Sequence, residues 1–146
     1  MSDGLLDPRI VRMPPLAEGE WLNGRPQPNE LAPGPNPLRG QVVLIDFWDY
    51  TCINCLRTLP YLKKWHQRYA EHGLVIIGIH TPEFGFAHFR QHLEAAIAEY
   101  EIPYPVLLDN TQENWTRFAA RAWPTKFLID GAGYVRFRRK GEGYYR

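Results

Sequence analysis

Two cysteines, Cys52 and Cys55, are the whole thiol complement of this 146-residue chain. Two residues separate them, and the apolar run Val42-Val43-Leu44-Ile45-Asp46-Phe47-Trp48 precedes them by a short loop. A strand that ends in a Cys-x-x-Cys opening a helix is a setting for dithiol–disulfide exchange. Unpaired N–H groups and the dipole at a helix N-terminus favour negative charge, and there a thiol pKa falls from ~8.5 into the range ~3.5–7.5. Cys52, at the end of the loop, is the expected attacking thiol. Cys55, one turn inside, is the expected resolving thiol. Closing so short a loop removes little chain entropy, so the pair reads as chemistry and not as a staple. Resolution needs a proton acceptor. Asp46, the one acid in the 42–48 run, shares a strand face with Leu44 and Trp48. Burial there raises a carboxyl pKa, which suits a general base.

The elements that must hold these groups alternate. Residues 42–48 and 74–79 read as buried strands. Between them Leu56, Leu59, Leu62, Trp65 and Tyr69 recur at helical spacing; Pro60 should kink that helix and Gly73 ends it. Phe86, Phe89, Leu93, Ile97 and Tyr100 form a second helical stripe. A short strand at 106–108, a short helix at 114–120 and a hairpin of 126–129 with 134–139 complete the order. This implies an α/β mixed sheet with helices on both faces. Eight of the 13 prolines lie in residues 1–40. That segment reads as an irregular N-terminal arm anchored by Trp21, Leu22 and Leu38, and residues 41–146 read as the folded domain.

Composition narrows the partners. With 17 basic and 16 acidic residues the net charge is +1, which gives no field for steering nucleic acid. No apolar run is long enough to span a membrane. Residues 1–8 lack a basic region and a long apolar region. The chain therefore reads as cytoplasmic if Met1 is the natural start, and as an exported or periplasmic domain if it belongs to a longer protein.

From about Val42 to Arg139 the chain resembles the thioredoxin superfamily, and within it the bacterial thiol–disulfide oxidoreductases of the TlpA/DipZ type. Phe47-Trp48, Cys52-Ile53-Asn54-Cys55, Pro60 five residues later, and Ile79-His80-Thr81-Pro82-Glu83-Phe84 carry the resemblance. So does Trp123-Pro124-Thr125, which is similar to the family's cis-proline loop. The resemblance implies a thioredoxin-like fold, protein dithiol or disulfide substrates, an upstream redox partner, and no cofactor or metal. It implies that Pro124 and Trp123 shape a substrate groove; Trp48, which should also border the dithiol, is a further candidate to touch substrate. Three departures stand out. The 74–79 strand has no lysine to accompany Asp46. Thr58 stands where some TlpA-like reductases carry a glutamate, which leaves Glu83 as second choice for the base. The family's closing helix has no counterpart after the final hairpin.

The reading is a protein thiol–disulfide oxidoreductase acting as a reductase. Two alternatives use the same thiols: a copper-handling module with a histidine such as His80, or a thiol peroxidase forming a sulfenic acid on Cys52. His66 and His72 make a near-miss to a zinc pattern, but they lie two turns or more along the helix from the thiols. His88 and His92 are spaced i, i+4 with no evident third ligand. Trp65 and Trp115 read as packing. Arg136 and Arg138 read as a solvated strand face, with Val135 and Phe137 inward.

Overall fold

The computed structural model describes residues 5–26, 40–84 and 89–141, with residues 5–10 described as backbone only. Leu38, Phe86 and His88 fall outside the described residues. One seven-stranded sheet runs through the molecule. Its strands are β1 (Leu5–Arg12), β2 (Glu20–Leu22), β3 (Val42–Trp48), β4 (Leu74–His80), β5 (Val106–Leu108), β6 (Thr125–Ile129) and β7 (Tyr134–Lys140), in the order β1-β7-β6-β3-β4-β5-β2. β3, β4 and β5 are parallel, as their helical crossovers require, and the other pairings are antiparallel.

The helices are α1 (Ile53–Tyr69), α2 (Arg90–Glu99) and the short α3 (Glu113–Arg117). α1 continues through Pro60, and a single 3₁₀ turn at Ala70–His72 hands the chain to Gly73, whose φ of 93° only glycine adopts cheaply. Two apolar layers result. Ile45, Phe47, Ile77, Ile79, Phe127 and Ile129 pack with Phe118 and Trp115 on the α3 face. Leu44, Trp48, Ile76 and Val106 pack with Cys55, Leu59, Leu62 and Leu93 on the α1–α2 face. Helices therefore cover both faces. No helix among the described residues is long and apolar enough to cross a membrane.

The N-terminal arm is more regular than its prolines suggest. It supplies the two edge strands, β1 against β7 and β2 against β5. An edge tolerates proline, and the register of β1 slips between Leu6 and Val11, the stretch that contains Pro8. A second slip, in β6–β7, breaks the expected alternation. Val135 joins the α3-face core, whereas Phe137 and Arg139 line a groove of about 440 Å³ with Leu44, Leu128 and Trp65. Among the described residues no helix follows β7.

Candidate functional site

The turn that joins β3 to α1 sets the two thiols. Cys52 is the N-cap residue, with extended φ and ψ of −95° and 112°. Its sulfur accepts the Cys55 main-chain N–H at 3.2 Å, the bond an N-cap side chain supplies to an otherwise orphaned donor. The Cys52 N–H donates to the Asp49 carbonyl at 3.0 Å, which closes the turn. Both cysteines are free thiols; Cys52 is partly exposed and Cys55 is inaccessible.

Their acidities diverge for that reason. A hydrogen bond from the Cys55 thiol, aided by the N–H groups of Cys55 and Asn54, outweighs burial and the Glu83 charge and brings Cys52 down to about 7. Burial above all pushes Cys55 well above the ordinary thiol range, with its bond to Cys52 and the Asp46 charge acting in the same direction. Cys52 is thus the sulfur that ionises readily, and Cys55 is held as a thiol.

Asp46 lies beneath them, fully buried on the α1 face of β3. It pairs in register with Gly78 on β4 and with Lys126 on β6. The Lys126 ammonium lies 3.2 Å from Asp46 Oδ1, a buried ion pair. Burial raises the Asp46 pKa, and the Lys126 charge works against that rise. Lys126 also donates to Thr58 Oγ1 at 3.1 Å, and Thr58 Oγ1 donates to the Cys55 carbonyl at 2.9 Å. The lysine missing from the 74–79 strand thus arrives from β6. The sequence offered only its parity with Leu128, opposite Phe127 and Ile129; which sheet face that is, and that Asp46 lies on it, required the β3–β6 register.

The substrate-side residues separate. Trp123 is partly exposed and stacks on Trp115, with centroids 4.0 Å apart; its Nε1 donates to the Thr81 carbonyl at 2.7 Å. The Trp123–Pro124 bond is cis, and Pro124 is buried. Thr81 Oγ1 donates to Asp109 Oδ2 at 2.7 Å, and the Asp109 carboxylate accepts the Asn114 and Trp115 N–H groups of α3. This chain of bonds fixes the proline loop against β4 and α3. Trp48 does not border a substrate surface: it is fully buried, edge-on to His80 and against Gly78, because strand alternation turns it beneath α1. Glu83 is exposed and its charge is felt at Cys52, so it sits on the thiolate side of the site.

The copper alternative loses its third ligand. His80 is sealed, with Nε2 3.5 Å from Asp49 Oδ1 and its ring stacked on Tyr50. Among the described residues no three His, Cys, Asp or Glu side chains converge on a point.

Residues 35–138 match the model of the AhpC/TSA family. The chain is 44% identical over 130 residues to protein DipZ of Mycobacterium tuberculosis, covering 86% of this chain and 18% of that protein. It is 30% identical over 104 residues to the thiol–disulfide oxidoreductase ResA of Bacillus thuringiensis, covering 71% of this chain and 57% of that one. The chain therefore spans about a fifth of one relative and just over half of the other. A crystallised thioredoxin-like superfamily protein superposes with a TM-score of 0.78 at 26% identity, over 92% of this chain and 88% of its own. The oxidised form of a thioredoxin-like protein superposes with 0.77 at 24% identity, over 92% and 86%.

Proposed function

From the premise that this chain belongs to the AhpC/TSA family and has a thioredoxin-like fold, we propose that it is a protein thiol–disulfide oxidoreductase that works as a reductase. One observation carries the reading: Cys52 caps α1 as an accessible sulfur of lowered pKa, while its partner Cys55 is buried and held as a thiol. A nucleophile and a protected resolving group are what two-step exchange requires.

The Cys52 thiolate attacks one sulfur of a substrate disulfide and expels the other as a thiolate. This gives a mixed disulfide between Cys52 and the substrate. Cys55 then loses its proton, attacks the Cys52 sulfur and releases the second substrate thiolate. Two electrons pass to the substrate, and Cys52–Cys55 becomes the disulfide. Asp46 is the acceptor for the Cys55 proton: its charge is felt at that sulfur, and Lys126 balances the carboxylate while it waits. As the mixed disulfide forms, Cys52 gives up its negative charge and no longer opposes ionisation of Cys55. Trp123 and Pro124 form the wall along which a substrate segment lies. A second dithiol protein must re-reduce the pair.

The test is reduction of insulin disulfides under a dithiol donor, with hydrogen peroxide as the competing substrate. Turnover of insulin with no peroxide consumption supports the reading. Peroxide consumption without insulin turnover replaces it with the peroxidase.

A further inference from the structure

Asp49 belongs to none of the roles above, yet no other side chain in the turn is bonded to as many segments. It follows β3 directly, is fully buried, and spends its carboxylate on the loops around the dithiol. Oδ1 accepts the Thr51 N–H and the Thr51 hydroxyl, both at 2.9 Å. Oδ2 accepts the Glu83 N–H at 2.7 Å. His80 closes the remaining side: its Nε2 lies 3.5 Å from Oδ1, receives the Tyr50 N–H at 3.3 Å, and its ring stacks on Tyr50 at 5.3 Å. A buried carboxylate is tolerated only when bonded in this way, so its partners are held as firmly as it is.

We propose that Asp49, backed by His80, is a positioning residue that sets the main-chain turn carrying Cys52 and ties the dithiol turn to the wall of the substrate groove.

The main chain of Asp49 shows why. Its carbonyl receives the Cys52 N–H at 3.0 Å, and the Cys52 sulfur in turn accepts the Cys55 N–H at 3.2 Å. Rotation of residue 49 would therefore disturb both cysteines together. Through Glu83 the same carboxylate grips the segment that includes Thr81, whose carbonyl receives Trp123 and whose own N–H donates to the Trp48 carbonyl at 3.1 Å. The thiol turn and the cis-proline loop thus meet on the 81–83 segment, gripped on one side by the Asp49 carboxylate and on the other by the Trp123 indole. Only an acceptor-only group fits. Alanine leaves three donors without partners, and an amide turns an NH₂ toward the Thr51 or Glu83 N–H.

The inference rests on the exchange chemistry proposed above, and one experiment separates the two. The reduced full chain is alkylated with iodoacetamide across pH 5–10, with the modified cysteine located by mass spectrometry, while insulin reduction is followed in parallel. Asp49→Ala loosens the turn, and the Cys52 midpoint rises from about 7, whereas mere loss of the carboxylate's negative charge would lower it. A rise of one pH unit lowers alkylation at pH 7 by roughly fivefold, with insulin kcat/KM falling at least as far. Asp49→Asn gives a smaller move in the same direction. Thr51→Val removes the hydroxyl bond alone and is the variant to rely on if Asp49→Ala does not fold; it too raises the midpoint. An unchanged or lowered Cys52 midpoint in whichever of these variants folds overturns the proposal and leaves Asp49 without a positioning role. A shifted profile in a chain whose wild type never reduces insulin keeps the positioning role and removes the oxidoreductase reading.

Discussion

Asp46 on β3 and Lys126 on β6 face each other across an antiparallel pair, 3.2 Å from carboxylate to ammonium, and both are almost inaccessible. Two opposite charges are thereby buried one layer below a dithiol. Breaking such a pair strands the surviving charge in the interior. The lysine also binds Thr58, whose hydroxyl bonds the Cys55 carbonyl, so the ion pair is connected to the resolving cysteine through the first turn of α1.

Asp46→Asn should slow resolution by about 10² or more, the usual worth of a general base, and leave the first attack nearly intact. Rapid-mixing fluorescence that separates the two steps reads this. An unchanged second step removes Asp46 from the mechanism.

Lys126→Met keeps a long apolar stem but deletes the charge that restrains the Asp46 pKa. The Asp46 pKa then rises further, so the carboxylate base is available only at higher pH. The pH midpoint of the resolution step should move upward, while that of Cys52 alkylation stays in place. Resolution that falls equally at every pH would point to lost packing instead.

Cys55→Ser should trap a mixed disulfide between Cys52 and a substrate protein, visible on non-reducing gels and released by dithiothreitol. Cys52→Ser should abolish turnover. Adducts formed through Cys55 in the Cys52→Ser protein would reverse the assigned order of attack.

The depressed Cys52 pKa couples to stability with a definite sign. The folded value, about 7, lies below the ordinary thiol range, so the folded state stabilises the thiolate. For the reduced protein this contribution is complete above about pH 9 and fades as pH falls through 7. Urea titrations of wild type and Cys52→Ser should therefore diverge between pH 7 and 9 and run parallel below it. Curves parallel throughout would mean that the thiolate gains nothing from folding.

Gly78→Ala tests the packing over Asp46. A Cβ there would stand 3.0 Å from Trp48 Nε1 and 3.2 Å from Tyr104 Cε1, on rings that have no room to retreat. Overpacking of this kind costs about 1–3 kcal/mol, read as a lower urea midpoint at an unchanged slope.

The order of elements was written in local patterns. The apolar runs 42–48 and 74–79, the stripe from Leu56 to Tyr69 and the Gly131-Ala132-Gly133 turn each report the period of their own element, because burial of one face depends on nearest neighbours along the chain. The dithiol and its helix-capping position were legible for the same reason: strand, loop and helix start are contiguous. Arm strands β1 and β2 were not, since edge pairing is decided by a partner more than 80 residues away and survives prolines that local propensity counts against it. Lys126 against Asp46 required the β3–β6 register, and the exclusion of Trp48 from the surface required knowing which face α1 covers. The grip of Asp49 on Thr51 and Glu83 joins two loops that meet only because β3 and β4 lie side by side. What the sequence determined by itself was the reactive pair and the helix end that activates it. What only the tertiary structure decided was the buried charge that answers Asp46 and the carboxylate that holds the turn, because both depend on contacts between strands that the chain brings together only on folding.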